Sequence, residues 1–295
     1  MRVLVTGGRG FVGTVVAARL AEAGHEVATL GRAEADLRDR DALARAVAGF
    51  DAICHLAART RVREAVADPV GTWSVNAGGT INLLEALTAA GVARLVFAST
   101  GAVYGPDAPA GVTEAATPAP SGPYAGAKLA AEQAIGSAAA AGLGAVTLRC
   151  GNAAGAVELE PGRWHGDPDP TRLIPRVVAA AAGGAALGVN GDGSAVREYV
   201  HVADLAGAFV LAVGAAEPGR HLVLNAGSGT GVSVRDVIAA VEAVSGRRVV
   251  VEHRPPADEP RALVTDGTRA RAELGWRPAR SDLASIAADA WAARN

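Results

Sequence analysis

Short apolar runs alternate with longer helical patterns along this chain. Residues 3–6, 27–30, 52–56, 95–99 and 146–149 are nearly continuous in apolar residues, the pattern of strands buried on both faces. Between them Val12, Val16 and Leu20 fall at helical spacing, as do Leu83, Leu84 and Leu87. This alternation predicts an α/β fold, a doubly wound parallel sheet of the Rossmann type. Such sheets bind ligands at the C-terminal ends of their strands, so the residues after each strand matter most.

Beyond Arg149 the texture changes. Residues 151–170 are rich in glycine, proline and charge and read as loop. A helical pattern follows at 173–182. Residues 197–202 and the helical pattern at 204–213 read as a return to the main domain, and 222–226 reads as a further strand. Helical patterns at 233–245 and 266–274 read as a smaller C-terminal unit. The expected division is a dinucleotide-binding domain of residues 1–155, with 197–226 returning to it. A smaller α/β substrate domain then takes 156–196 and 227–295.

Composition narrows the class. At 295 residues, half of them hydrophobic, the chain has enough material for a large α/β core. A net charge of −2 argues against nucleic acid or an anionic membrane as the main partner. The two cysteines, Cys54 and Cys150, lie in no ligand-spaced cluster, so free thiols and no metal are expected. The N-terminus runs straight from a strand into glycines, without the apolar core of a signal peptide. No apolar run approaches the roughly 18 residues of a membrane span. A soluble, cytoplasmic protein is expected.

Thr6-Gly7-Gly8-Arg9-Gly10-Phe11-Val12-Gly13 follows the first strand and opens the first helix. Gly8, Gly10 and Gly13 fit GxGxxG, and Gly7, Gly10 and Gly13 fit GxxGxxG. Residues without a Cβ allow a tight turn, a close approach to a pyrophosphate and tight helix–strand packing. The helix N-terminus then presents free N–H groups to the anion. Such loops expect an acid at the end of the second strand for the ribose. That place reads Leu30-Gly31-Arg32, so NAD and NADP both stay open. Asp36-Leu37-Arg38-Asp39, after a short strand-like signal, is placed to meet the adenine.

Lys128 is the only lysine, one helical turn after Tyr124 on a helix predicted beyond Pro123. A neighbouring ammonium favours the phenolate, which should lower the tyrosine pKa for general acid/base work.

Jointly these segments resemble the extended short-chain dehydrogenase/reductases of the nucleotide-sugar epimerase/dehydratase group. The resemblance also rests on His55-Leu56-Ala57-Ala58, Asn76, Ser99-Thr100 through Val103-Tyr104-Gly105, Tyr124-Ala125-Gly126-Ala127-Lys128 and Arg149 through Asn152. Arg197-Glu198-Tyr199-Val200-His201-Val202 with Asp204, and Leu274-Gly275-Trp276, carry it nearly end to end. It implies a catalytic set of Thr100, Tyr124 and Lys128. It implies cofactor contacts from Gly7, Gly10, Phe11, Val12, Gly13, Arg32, Asp36, Leu37, Leu56, Ala57, Ala58, Asn76 and Ser99, with Tyr124 and Lys128. His201 is expected to be structural, and Trp276 to pack the C-terminal helix.

The implied substrate is a nucleoside diphosphate sugar, bound by Thr100, Tyr124 and Asn152. Its pyrophosphate calls for positive donors in the C-terminal unit, with Arg197 and Arg261 foremost and Arg254 after them. The 4,6-dehydratases of the group carry an Asp-Glu pair where Gly101-Ala102 stand, and the uronate decarboxylases a glutamate at Ala102. Neither reaction is expected here. A 4-epimerase is expected first, with a 4-ketoreductase using the same residues as the alternative. A redox-sensing regulator without catalysis is disfavoured by the retained Tyr124 and Lys128. NAD is the expected cofactor, and a homodimer the expected assembly.

Overall fold

The computed structural model describes residues 1–256 and 262–294, which leaves Arg261 outside the described residues. The first half alternates strand and helix. It contains β1 (Arg2–Thr6), α1 (Phe11–Glu22), β2 (Glu26–Leu30), α2 (Arg40–Val47) and β3 (Ala52–His55). It continues with α3 (Val62–Ala67), α4 (Pro69–Trp73), α5 (Gly79–Ala90), β4 (Arg94–Thr100), α6 (Gly122–Ala140) and β5 (Gly144–Cys150). Shorter pieces follow: β6 (Asn152–Ala154), β7 (Ala156–Glu160), β8 (Arg163–Gly166), α7 (Leu173–Ala181), β9 (Leu187–Asn190) and β10 (Val196–His201). The chain ends with α8 (Val202–Ala215), β11 (His221–Ala226), β12 (Gly231–Ser233), α9 (Val234–Ser245), β13 (Val251–Arg254), β14 (Ala262–Leu263), α10 (Thr268–Leu274) and α11 (Leu283–Ala292).

The main sheet has six strands in the order β11-β5-β4-β3-β1-β2, and every neighbouring pair is parallel. Successive strand residues face opposite sides. Val3, Val5, Cys54, Val96 and Val146 join one core with α1 and α8. Leu4, Ile53, Leu95 and Phe97 join the other with α2, α5 and α6. This is the doubly wound parallel sheet that the apolar runs predict. The strand order reverses between β1 and β3, which opens a crevice above their C-terminal ends.

Three sequence expectations need correction. Residues 151–170 are not simply loop: β6 lies there, and β7 and β8 form an antiparallel hairpin closed at Gly162, whose φ is +76°. Second, the 197–226 stretch divides. Its helix α8 packs on α1 and its strand β11 pairs with β5, but β10 pairs with β6, β12 and β14 in a separate sheet. The pattern of 197–202 identifies a strand, while its partners are set by long-range contacts. Third, no strand precedes Asp36. The chain turns directly from β2 into α2, whose N-cap Asp39 accepts the Ala42 N–H at 2.9 Å.

His201 is structural. Its ring caps α8 through the Ala203 N–H and meets Asp289 of α11 at 2.9 Å. Trp276 is buried in the core formed with α1 and α8, and its indole N–H reaches the Asp204 carbonyl at 2.8 Å. It thus anchors the C-terminal segment to α8. No helix among the described residues is long and apolar enough to cross a membrane.

Candidate active site

The C-terminal ends of β1 to β5 open into one cleft of about 1570 Å3. Gly7, Gly10, Phe11, Val12 and Gly13 line it from the β1–α1 turn, and Gly31, Arg32, Asp36 and Leu37 from beyond β2. Leu56, Ala57 and Ala58 line it after β3, Ser99 and Thr100 at the end of β4, and Tyr124 and Lys128 from α6. Asn152 and Arg197 line its far wall.

Of the two glycine spacings, the structure uses Gly7, Gly10 and Gly13. Gly7 has φ +69°, and a Cβ at Gly13 would stand 2.1 Å from the Gly7 carbonyl oxygen. Gly8 packs instead against Thr29. Helix α1 begins at Gly10 with no side-chain cap and no acid in its first turn. Its first N–H groups therefore face the cleft, which suits a bound diphosphate.

The turn after β2 holds an acid, Glu34, that does not itself line the cleft. The Glu34 carboxylate accepts the Gly31 N–H at 2.9 Å and pairs with Arg9. Arg32 is largely exposed and lies 3.7 Å from Asp36. Sequence reasoning missed Glu34 because only the folded turn brings it back over Gly31. Together the uncapped helix and the glycine turn fit a dinucleotide.

Two expected cofactor contacts are redirected. Asn76 does not line the cleft. Its amide is spent on the Arg59 backbone, accepting the N–H at 2.8 Å and donating to the carbonyl at 2.9 Å. It holds the loop after β3. Ser99 turns its hydroxyl into the protein, where it donates to Glu132.

Helix α6 starts with Pro123 in its first turn, where its fixed φ suits a helix and its missing N–H costs nothing. Tyr124 and Lys128 then face β4. The Thr100 hydroxyl accepts the Ala102 N–H at 3.2 Å and acts to lower the Tyr124 pKa. Lys128 donates to the Ala98 carbonyl at 2.7 Å and sits 4.5 Å above the Phe97 ring. Burial pushes the Lys128 ammonium down to about 8. Burial pushes the Tyr124 phenol up to about 12, opposed by Thr100 and by the Arg172 charge. The expected lowering by Lys128 is not found: desolvation governs the phenol, and the ammonium is directed at Ala98.

Arg172 is a second residue that sequence reasoning missed. It is the N-cap of α7 and lines the cleft, 3.2 Å from Asp167 and 3.9 Å from Asp169. Asp169 also receives Arg61 at 3.1 Å, which ties the loop after β3 to the start of α7. The run Asp167-Pro168-Asp169-Pro170-Thr171-Arg172 was the available signal, two acids close before a basic helix start. Asn152 donates to the Glu198 carbonyl at 2.9 Å, which joins β6 to β10. Arg254 does not line the cleft; its guanidinium lies against Gly188.

A parallel sheet with a glycine-built anion site beside a tyrosine, lysine and threonine defines an oxidoreductive enzyme that uses a dinucleotide. The model of the NAD dependent epimerase/dehydratase family matches residues 3–227, and the chain belongs to that family. It is 42% identical to the UDP-glucose 4-epimerase of Streptomyces lividans, over 98% of this chain and 94% of that protein. It is 38% identical to that of Corynebacterium glutamicum, over 99% and 95%. Its fold matches the UDP-glucose-4-epimerase of Stenotrophomonas maltophila, solved with NAD and formylated UDP-arabinopyranose. That match has a TM-score of 0.91 at 33% identity and covers 100% of this chain and 98% of that one. The Bifidobacterium longum enzyme, solved with NAD+ and UDP, matches with a TM-score of 0.91 at 29% identity, over 100% and 98%.

Proposed function

We propose that this chain is a nucleotide-sugar 4-epimerase that interconverts UDP-glucose and its C4 epimer with NAD held in the cleft. The observation that carries the reading is the meeting of Thr100, Tyr124 and Lys128 in one cleft, with Gly101 and Ala102 beyond them. Those two residues offer no second acid or base, so elimination or decarboxylation lacks its groups. Bound NAD supplies the hydride acceptor and donor for C4. As a phenolate, which the positive nicotinamide ring of bound NAD would favour against burial, Tyr124 takes the proton of the 4-hydroxyl and returns it. The Thr100 hydroxyl orients the same oxygens, and Lys128 places its positive charge beside them. The transient 4-keto sugar is reduced on its other face, so no net redox change results.

The N–H groups at the start of α1 would hold the cofactor diphosphate, and the Glu34 charge beside Gly31 would disfavour a 2′-phosphate, which favours NAD over NADP. Asn152 and Arg197 belong to the substrate side, as does Arg172 beside Tyr124. A cytoplasmic homodimer is part of the same proposal. Val66, Val70, Trp73 and Ile81 are exposed on α3, α4 and α5 and offer an apolar face that a second copy would cover. Light scattering should give twice the chain mass.

The deciding measurement is the cofactor that accompanies the purified protein. Stoichiometric NAD, with isomerisation of UDP-glucose in the absence of added cofactor, is expected. An empty enzyme that consumes NADPH only with a 4-keto sugar would establish the ketoreductase instead.

A further inference from the structure

Tyr124, Lys128 and Glu132 succeed one another at one-turn spacing on α6, but only the first two reach the cleft. Glu132 is 4% exposed and paired with Arg149 of β5, itself 5% exposed. The Arg149 Nη2 donates to Glu132 Oε2 at 2.7 Å, and its Nε lies 3.2 Å from Oε1. The Ser99 hydroxyl donates to the same Oε1. The Arg149 guanidinium stands 4.8 Å above the ring of Tyr104, whose hydroxyl donates to Asn225 at 2.7 Å. A buried ion pair contributes little net stability, because desolvation offsets the attraction. Its place directly behind the catalytic set therefore calls for another account.

We propose that Glu132 is the positioning residue of this site: its buried carboxylate keeps the Lys128 ammonium charged and, through Ser99, sets Thr100 opposite Tyr124. The inference rests on the epimerase reading only for which reaction is affected. Two links carry it. The first is a tether, since Ser99 directly precedes Thr100 on β4 and its hydroxyl is fixed to α6. The second is charge. Lys128 is buried at a position where desolvation drives it towards neutrality, and the Glu132 charge acts in the opposite direction.

The other groups around Lys128 do not replace this charge. His55 of β3 is buried and held far below its usual range, at about 3, so it stays neutral. The Cys150 thiol of β5 is pushed up to about 12 and stays protonated, and burial raises the Tyr104 phenol. Burial raises the Tyr124 phenol as well. Strand β4 contributes the Phe97 ring and the Ala98 carbonyl. Burial lowers His221 of β11, beyond Glu132. Arg63, Glu64 and Asp68 on the neighbouring α3 and α4 segments, and Glu85 of α5, are exposed to solvent. Glu132, its charge partly offset by the Arg149 guanidinium 2.7 Å away, is thus the buried carboxylate one turn from Lys128 on α6.

Because Lys128 is the only lysine, protein labelled with 13C at the lysine ε-carbon gives one resonance, whose titration reads its charge directly. The wild-type midpoint should lie near pH 8. Glu132→Gln keeps hydrogen-bond acceptors and donors but removes the charge. Its midpoint should fall by about one pH unit or more, and the alkaline limb of kcat/KM should fall with it. Glu132→Asp should restore the limb. Ser99→Ala should lower kcat without moving the midpoint. If Glu132→Gln folds poorly because Arg149 is left unpaired, Glu132→Gln/Arg149→Gln removes both charges, and its midpoint should fall by less than that of Glu132→Gln. An unmoved midpoint in both variants, with only a loss of thermal stability, overturns the proposal. The titration reads the Glu132–Lys128 coupling whatever the substrate proves to be, so its failure is separable from failure of the epimerase reading.

Discussion

The two ends of the cleft are built from different materials. The cofactor edge is mostly backbone: the Gly7–Gly13 turn, the uncapped start of α1 and the short residues Ala57 and Ala58 after β3. The end proposed to take the sugar is side chains drawn from distant segments: Tyr124 and Lys128 from α6, Thr100 from β4, and Arg172 from the start of α7, held by Asp167 and Asp169. A backbone site needs residues that stay out of the way, and local sequence can specify those. A side-chain site needs convergence, which is decided by how separate elements pack.

Substitutions can test this contrast. Tyr124→Phe should have the largest effect, lowering turnover by at least about a hundredfold while NAD binding and fold are retained. Activity close to wild type would sink the assignment of the sugar end. Gly13→Ala comes next. Its Cβ would stand 2.1 Å from the Gly7 carbonyl oxygen, so the turn must shift. A loss of about 1–3 kcal/mol in stability is expected, with depleted NAD in the purified protein. Full NAD content at unchanged Tm would show that the edge tolerates a Cβ after all.

Arg172→Gln should lower kcat/KM by roughly tenfold, about 1.4 kcal/mol, and leave NAD occupancy intact. If NAD is lost instead, Arg172 belongs to the cofactor edge and the division fails. Glu34→Gln should be mildest. It keeps a hydrogen-bonding group over Gly31 but loses the anion, so preference for NAD over NADP should drop about fivefold in a binding titration. An unchanged ratio would return the question of cofactor choice to Arg9 and Arg32.

The contrast also explains what was legible along the chain. The apolar runs locate β1 to β5 to within one or two residues, because the inner strands β1, β3, β4 and β5 are buried on both faces, while β2 at the sheet edge is only partly so. The glycine turn and the Tyr124–Lys128 pair are equally local, the first set by sterics and the second by helical spacing. Glu34 and Arg172 escaped notice because each works through a turn or loop whose shape the residue pattern does not specify. The membership of β10 was misjudged for a related reason. Its residues make a good strand in any sheet, and only contact with β6, β12 and β14 decides which.

The same boundary runs through the catalytic face of α6. Sequence by itself determined that Tyr124 and Lys128 share a helix face and follow a dinucleotide loop, because spacing and sterics act over a few residues. Tertiary structure decided that Ser99 points inward to Glu132, that Lys128 is buried, and that burial raises the Tyr124 pKa. Those outcomes depend on desolvation and long-range pairing, which arise only when β4, β5 and α6 pack against one another.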